Sequence, residues 1–102
     1  MSSERILCAA IYIDDGTHHL HQPKNIATGF VIAGRRHHNC IYTTSLLGNI
    51  ARSVIERRDN QGFLTSQDRY VSRSEALEIA LREHQVIQPE LVQYELISED
   101  LY

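Results

Sequence analysis

Between a charged N-terminus and the turn signal Asp14-Asp15-Gly16 lies Ile6–Ile13 (ILCAAIYI), eight residues without a charge. Its length and its Ile and Tyr content favour a strand buried on both faces. That run constrains the fold more than any other segment, because a sheet must be built around it. The chain has 102 residues, which leaves room for one core and predicts a single domain over 1–102.

The second apolar run, Gly29–Gly34, has flanking glycines and β-branched residues and predicts a strand antiparallel to the first. Thr17–Lys24 between them is polar and His-rich, and Pro23 excludes it from a central strand. It reads as a loop or a ragged edge. Cys40–Leu47 predicts a short helix stopped at Gly48, with Ile41, Thr44 or Ser45, and Leu47 or Gly48 on one side. The Thr43-Thr44 pair keeps strand open as the competing assignment. Ile50-Ala51 and Val54-Ile55 have helical spacing, and Arg57–Gly62 reads as a polar turn. Phe63–Ser66 is a short strand, Gln67-Asp68-Arg69 a turn, and Tyr70-Val71 extended.

The clearest helix begins after Ser72. Ser72-Arg73-Ser74-Glu75 fits a capping box, with the Ser hydroxyl on the N3 amide and Glu75 reaching back. Ala76, Leu77, Ala80 and Leu81 give it an apolar stripe to lay on a sheet. Gln88-Pro89 closes the stretch beyond that stripe. Leu91–Ile97 could add a strand, and Ser98–Tyr102 is a short tail. The expected class is α+β, a small antiparallel sheet with two or three helices packed on it.

Composition narrows the function classes. The net charge is −3, which argues against a general coat for DNA or RNA. No apolar run approaches the length of a membrane span, and the N-terminus lacks the pattern of a signal peptide, so a cytosolic protein is expected. Among ten basic side chains Lys24 is the one lysine. Arginine suits bidentate contact with phosphate and stacking on flat rings, although genome bias produces the same excess. Cys8 and Cys40 sit in apolar settings and are expected to be buried thiols, not a disulfide.

Two segments carry possible binding chemistry. In Gly34-Arg35-Arg36-His37-His38-Asn39, a strand end meets a possible helix start, where unpaired N–H groups favour an anion. A solvated basic loop is the plain alternative. In the second segment, Arg69 and Arg73 bracket the start of the capped helix, and Phe63 and Tyr70 could offer flat faces to a base. Against this, Phe63 suits the core, and Arg69 could pair with Asp68 or an exposed Glu. Arg73 is the more informative, since a cation at a helix N-terminus is disfavoured unless an anion answers it. His18, His19, His21, His37 and His38 could form a metal cluster, but no HExxH or Cys-x-x-Cys pattern accompanies them. Hydrogen bonding or stacking of His37 or His38 is the better expectation, and no metal or cofactor is expected. No nucleophile elbow and no paired His-x-Ser or His-x-Thr motif is present.

Several segments appear in an order that resembles a known phage family. They are Arg5–Ile11, His21–Ile26, Gly29–Val31, Gly34–Cys40, Gly62–Ser66, Arg69–Arg73 with Glu75-Ala76, and Ser98–Tyr102. Together they resemble the bacteriophage family of Thoeris anti-defence protein 1, across nearly the whole chain. The resemblance implies a sponge without catalytic residues. Such proteins bind cyclic ADP-ribose isomers made by TIR-domain immune proteins in the infected host's cytoplasm, and some also bind cyclic oligonucleotides. It further implies homodimers or higher homo-oligomers with pockets between protomers. On it, Arg69 and Arg73 match ligand-binding arginines, and Tyr42 or Phe63 is the stacking aromatic. Arg36, His37 and His38 become candidates for cyclic-oligonucleotide phosphates.

Two other functions stay open. One is a small nucleotide-processing enzyme using His37, His38 or Cys40. The other is an inhibitor of a host enzyme by direct contact, with the tail at Tyr102 as a possible docking element. If Arg73 belongs to a nucleotide site, Arg73→Ala is expected to weaken binding by at least about tenfold with the fold intact.

Overall fold

A computed structural model of the protein describes residues 3–46, 60–91 and 95–101. Four strands form one antiparallel sheet: β1 (Ile6–Ile13), β2 (Phe30–Gly34), β3 (Gln61–Thr65) and β4 (Tyr70–Ser72), in the order β2-β1-β3-β4. Among the described residues two helices accompany them, α1 (His37–Ser45) and α2 (Arg73–Arg82). The class is α+β, as the patterning predicts. The expected helix over Ile50–Ile55 and the stop at Gly48 lie outside the described residues.

β1 is an inner strand, and Ala9, Ala10 and Ile11 have no exposed surface. Its pairing with β3 shifts between Ile6 and Cys8. This irregularity leaves Leu7 outside the alternation and 58% exposed, while Ile6 joins Ala9, Ile11 and Ile13 in the core. Phe63 lies opposite Ala9, and Val71 opposite Phe63, so the same face continues across β3 and β4.

α1 packs on this sheet through His37, Cys40 and Thr44, with Ile41 partly buried. The helix reading over the Thr pair is the right one. Thr44 satisfies its hydroxyl inside the helix by donating to the Cys40 carbonyl at 2.7 Å. Of the expected side, Thr44 is buried and Ile41 half-buried, while Ser45 faces solvent and Leu47 and Gly48 lie outside the described residues; the helix starts three residues earlier than expected, with Arg36 as N-cap, which adds His37 to the buried side.

α2 is capped by Ser72, whose hydroxyl accepts the Glu75 amide at 3.2 Å. The reciprocal half of the box is replaced. The Glu75 carboxylate accepts instead from Arg69. The buried stripe is Ala76, Leu77, Ile79 and Ala80, while Leu81 is 40% exposed. Ile79 takes the buried place expected of Leu81.

The segment Gln22–Asn25 runs between the two outer strands. Gln22 Oε1 accepts the Val31 amide of β2 at 3.0 Å. Asn25 brackets Tyr70 of β4, accepting its N–H at 2.8 Å and donating to its carbonyl at 2.6 Å. Pro23 between them is buried. The strap lies on the Tyr12 side of the sheet, where the Tyr12 hydroxyl donates to Thr28 O at 2.7 Å. The Tyr12 and Tyr70 rings meet there at 5.5 Å. Gly62 lies beneath Tyr70, and a Cβ on it would sit 2.2 Å from Val71 O, so only glycine fits.

The described part of Leu91–Ile97 is not a strand. Pro89–Leu91 is a single 3-10 turn, and 95–97 has no regular structure. Leu96 is nevertheless fully buried, its amide donating to Arg73 O at 3.0 Å. A second 3-10 turn, Ser98–Asp100, leads to Leu101, which packs against the core.

Candidate functional site

α1 begins where β2 ends, since Gly34 lets Asn39 and Cys40 approach the strand closely. Asn39 Oδ1 accepts the Arg36 amide at 3.1 Å and fixes the helix start. His37, at the first helical position, therefore turns inward and is 8% exposed. Its Nε2 lies 2.8 Å from the Gly62 carbonyl, so this nitrogen carries the proton and donates. Nδ1 is then the acceptor, and Arg73 Nη2 faces it at 3.4 Å. The edge of the imidazole meets Phe63, with ring centroids 5.0 Å apart.

Arg73 comes to the same point from the first turn of α2 and is itself 8% exposed. It donates to Leu96 O at 3.2 Å and to Gln61 Oε1 at 2.6 Å. The two candidate segments, 34–39 and 69–73, thus meet in space through His37 and Arg73. They meet as a buried network and not as an open pocket. The cation that a helix start disfavours is answered by neutral oxygens on β3 and the C-terminal segment.

The remaining candidates separate clearly. Phe63 has no exposed surface, which corrects its assignment as a stacking face. It is a core ring, the plain alternative. Arg69 lies between two carboxylates, 3.3 Å from Glu4 Oε2 and bonded to Glu75. Glu4 also accepts from Thr65 at 2.6 Å. Internal carboxylates supply the negative charge expected there from a ligand. Arg36 keeps 24% of its side chain exposed, with Nη1 3.6 Å from Glu99 Oε1. His38 and Tyr42 lie on the outer side of α1, one turn apart. Tyr42 is 68% exposed. Of the seven expected ligand contacts, His38 and Tyr42 are exposed, Arg36 and Arg69 are half-buried, and His37, Phe63 and Arg73 are buried.

The thiols are free. Burial pushes Cys40 up to about 11, with a smaller contribution from Cys8, and its Sγ–H donates to Ala9 O at 3.6 Å. Burial also raises Cys8. Neither environment produces a thiolate at neutral pH. Among the described residues no three His, Cys, Asp or Glu side chains converge on a metal position. His19 instead pairs with Asp15 at 2.7 Å, and that contact, with the Thr17 amide, lowers the Asp15 carboxyl. No helix among the described residues is long and apolar enough to cross a membrane.

Two clefts adjoin the C-terminal turn. One, of about 260 Å³, is lined by Ile87, Gln88, Glu99 and Asp100. The other, of about 360 Å³, lies between Arg5, Leu7, His84 and Leu101. Gln61, Leu96 and Glu99 are partners that sequence reading does not find. Each acts on a residue more than ten positions away, and no local pattern marks them.

One protein family, described as phage T4 y16D protein, matches the chain over residues 5–102. No curated protein and no solved structure matches it.

Proposed function

The chain belongs to the phage T4 y16D protein family, and on that premise we propose that it binds a phosphate-bearing signalling nucleotide and holds it intact. The cyclic ADP-ribose isomers are the ligand class favoured by the resemblance to anti-defence sponges, with cyclic oligonucleotides second. The proposed place of action is the cytoplasm of the infected bacterium.

The observation that carries this reading is the exposed side of α1 at His38 and Tyr42, with the half-buried Arg36 at the helix start. Arg36 stands at its N-cap, His38 follows, and Tyr42 lies one turn on with 68% of its surface exposed. A guanidinium and the first-turn amides suit phosphate oxygens. An exposed phenol ring suits the face of an adenine. One helix face cannot enclose such a ligand, so the proposal includes a second copy of the chain closing the pocket as a homodimer. Binding without turnover is favoured because Cys40 is a buried, protonated thiol and both ring nitrogens of His37 face partners.

The test is to incubate the purified protein with an extract containing TIR-derived signals, then heat it and analyse the released small molecules by mass spectrometry. An intact cyclic nucleotide, lost in Tyr42→Ala and Arg36→Ala, is the expected result. A cleaved product points to the enzyme reading, and no small molecule at all removes the nucleotide. Inhibition by direct contact is the second reading. It is favoured by Leu46, 67% exposed one turn beyond Tyr42, which extends an apolar stripe suited to a protein partner. Capture of one host protein by ligand-free protein, abolished in Tyr42→Ala, would decide for it.

A further inference from the structure

Side-chain amides take the free main-chain groups at two margins of the sheet and only part of them at a third. At β4, Asn25 takes both groups of Tyr70 that point away from β3. At the start of β1, Gln85 takes both groups of Ile6. At β2 the cover stops short. In an antiparallel ladder the N–H and C=O of one residue point to the same side, and that side alternates along the strand. Val31 N–H points outward, since it donates to Gln22 Oε1 at 3.0 Å. Ala33, two residues on, therefore turns both of its groups outward, while Ile32 and Gly34 face Ile11 and Ala9 of β1. Ala33 is exposed, and among the described residues neither its N–H nor its carbonyl has a partner.

We propose that β2 pairs edge to edge with β2 of a second copy of this chain, antiparallel and about a two-fold axis at Ala33. Each Ala33 N–H then donates to the Ala33 carbonyl of the other copy, so the contact is self-complementary. An identical strand suits this edge. Phe30–Gly34 holds no charge, so like charges do not meet within the paired strands. It also holds none of the proline or lysine that keeps sheet edges apart. The methyl side chain of Ala33 adds no bulk at the axis. An axis at Ala33 leaves Gln22 in place, whereas an axis at Ile32 would need the Val31 N–H that Gln22 holds. Such an axis stands perpendicular to the sheet, so both α1 helices fall on one face of the joint sheet, either side of the axis. The pairing goes beyond the nucleotide reading, because it needs no ligand, and it supplies the homodimer that a shared pocket requires.

The experiment follows amide hydrogen exchange of the ligand-free protein from micromolar to millimolar concentration, with sedimentation velocity on the same samples. As the dimer forms, exchange at Ala33 is expected to slow about fivefold, one neutral hydrogen bond's worth. Tyr70, held by Asn25 of its own copy, is expected to keep its rate. Ala33→Lys sets like charges opposite each other across the axis and is expected to stay monomeric with the urea midpoint of wild type. A wild type that stays monomeric throughout overturns the proposal. A dimer in which Ala33 exchanges as fast as in the monomer overturns it too, and this readout stands even where Ala33→Lys does not fold. A folded Ala33→Lys that dimerises like wild type also overturns it. Nucleotide binding by a protein that never dimerises removes the edge contact alone, and a dimer protected at Ala33 that binds no nucleotide removes the nucleotide reading alone.

Discussion

Phe63 and Tyr42 are two aromatic side chains that a sequence treats alike and a fold treats in opposite ways. Phe63 sits opposite Ala9 with no exposed surface, and Tyr42 is 68% exposed. Phe63→Ala is expected to lower stability by about 3–5 kcal/mol, and Tyr42→Ala by less than about 0.5 kcal/mol. Urea unfolding of both variants measures this, and equal losses would contradict the burial difference. Arg73 reverses the expectation drawn from its place at a helix start. Removing it leaves Leu96 O, Gln61 Oε1 and His37 Nδ1 without its donors. Arg73→Ala is therefore expected to cost at least about 2 kcal/mol, seen as a lower urea midpoint. A loss of ligand binding in that variant would then reflect a damaged fold.

Among the elements, the strand edges are closed by side-chain amides. Gln22 caps β2, Asn25 caps β4, and Gln85 brackets Ile6 of β1, accepting its N–H and donating to its carbonyl at 2.8 Å each. An amide presents one donor and one acceptor with the spacing of a peptide group, so it can stand in for a neighbouring strand. Asn25→Ala is expected to speed exchange of the Tyr70 amide by about fivefold, one neutral hydrogen bond's worth. Unchanged exchange would mean that Asn25 does not protect the edge. The sequence located these strands well, because apolar runs and turn residues are local signals. It did not locate the caps, since Asn25 and Tyr70 are 45 positions apart. The capping box shows the same limit. Ser72 acts as read, but Arg69 takes the Glu75 carboxylate that the local pattern assigned to the backbone.

For the whole molecule, the core sets the chemistry of Cys40. Its thiol lies under α1 against Ala9 and is raised to about 11 by burial. At pH 8 only about one thiol in a thousand is ionised, so a thiol reagent is expected to label Cys40 slowly until the protein unfolds. The sign of the coupling follows from a folded value above the unfolded one. The stabilisation is complete below the ordinary thiol value and is lost as pH rises through about 11. Native labelling as fast as in urea would show that the thiol is not buried. Neighbouring residues alone settled the strand Ile6–Ile13, its antiparallel partner, the capped second helix and the buried Cys40 thiol. Each is written locally, through hydrophobic period, turn chemistry or a cap. The tertiary structure decided what faces each arginine. Arg73 is drawn inward by Gln61 and Leu96, Arg69 stands half-buried between Glu4 and Glu75, and Arg36, also half-buried, lies beside Glu99. A charge's availability depends on what faces it, and those partners lie on other elements that only folding brings near.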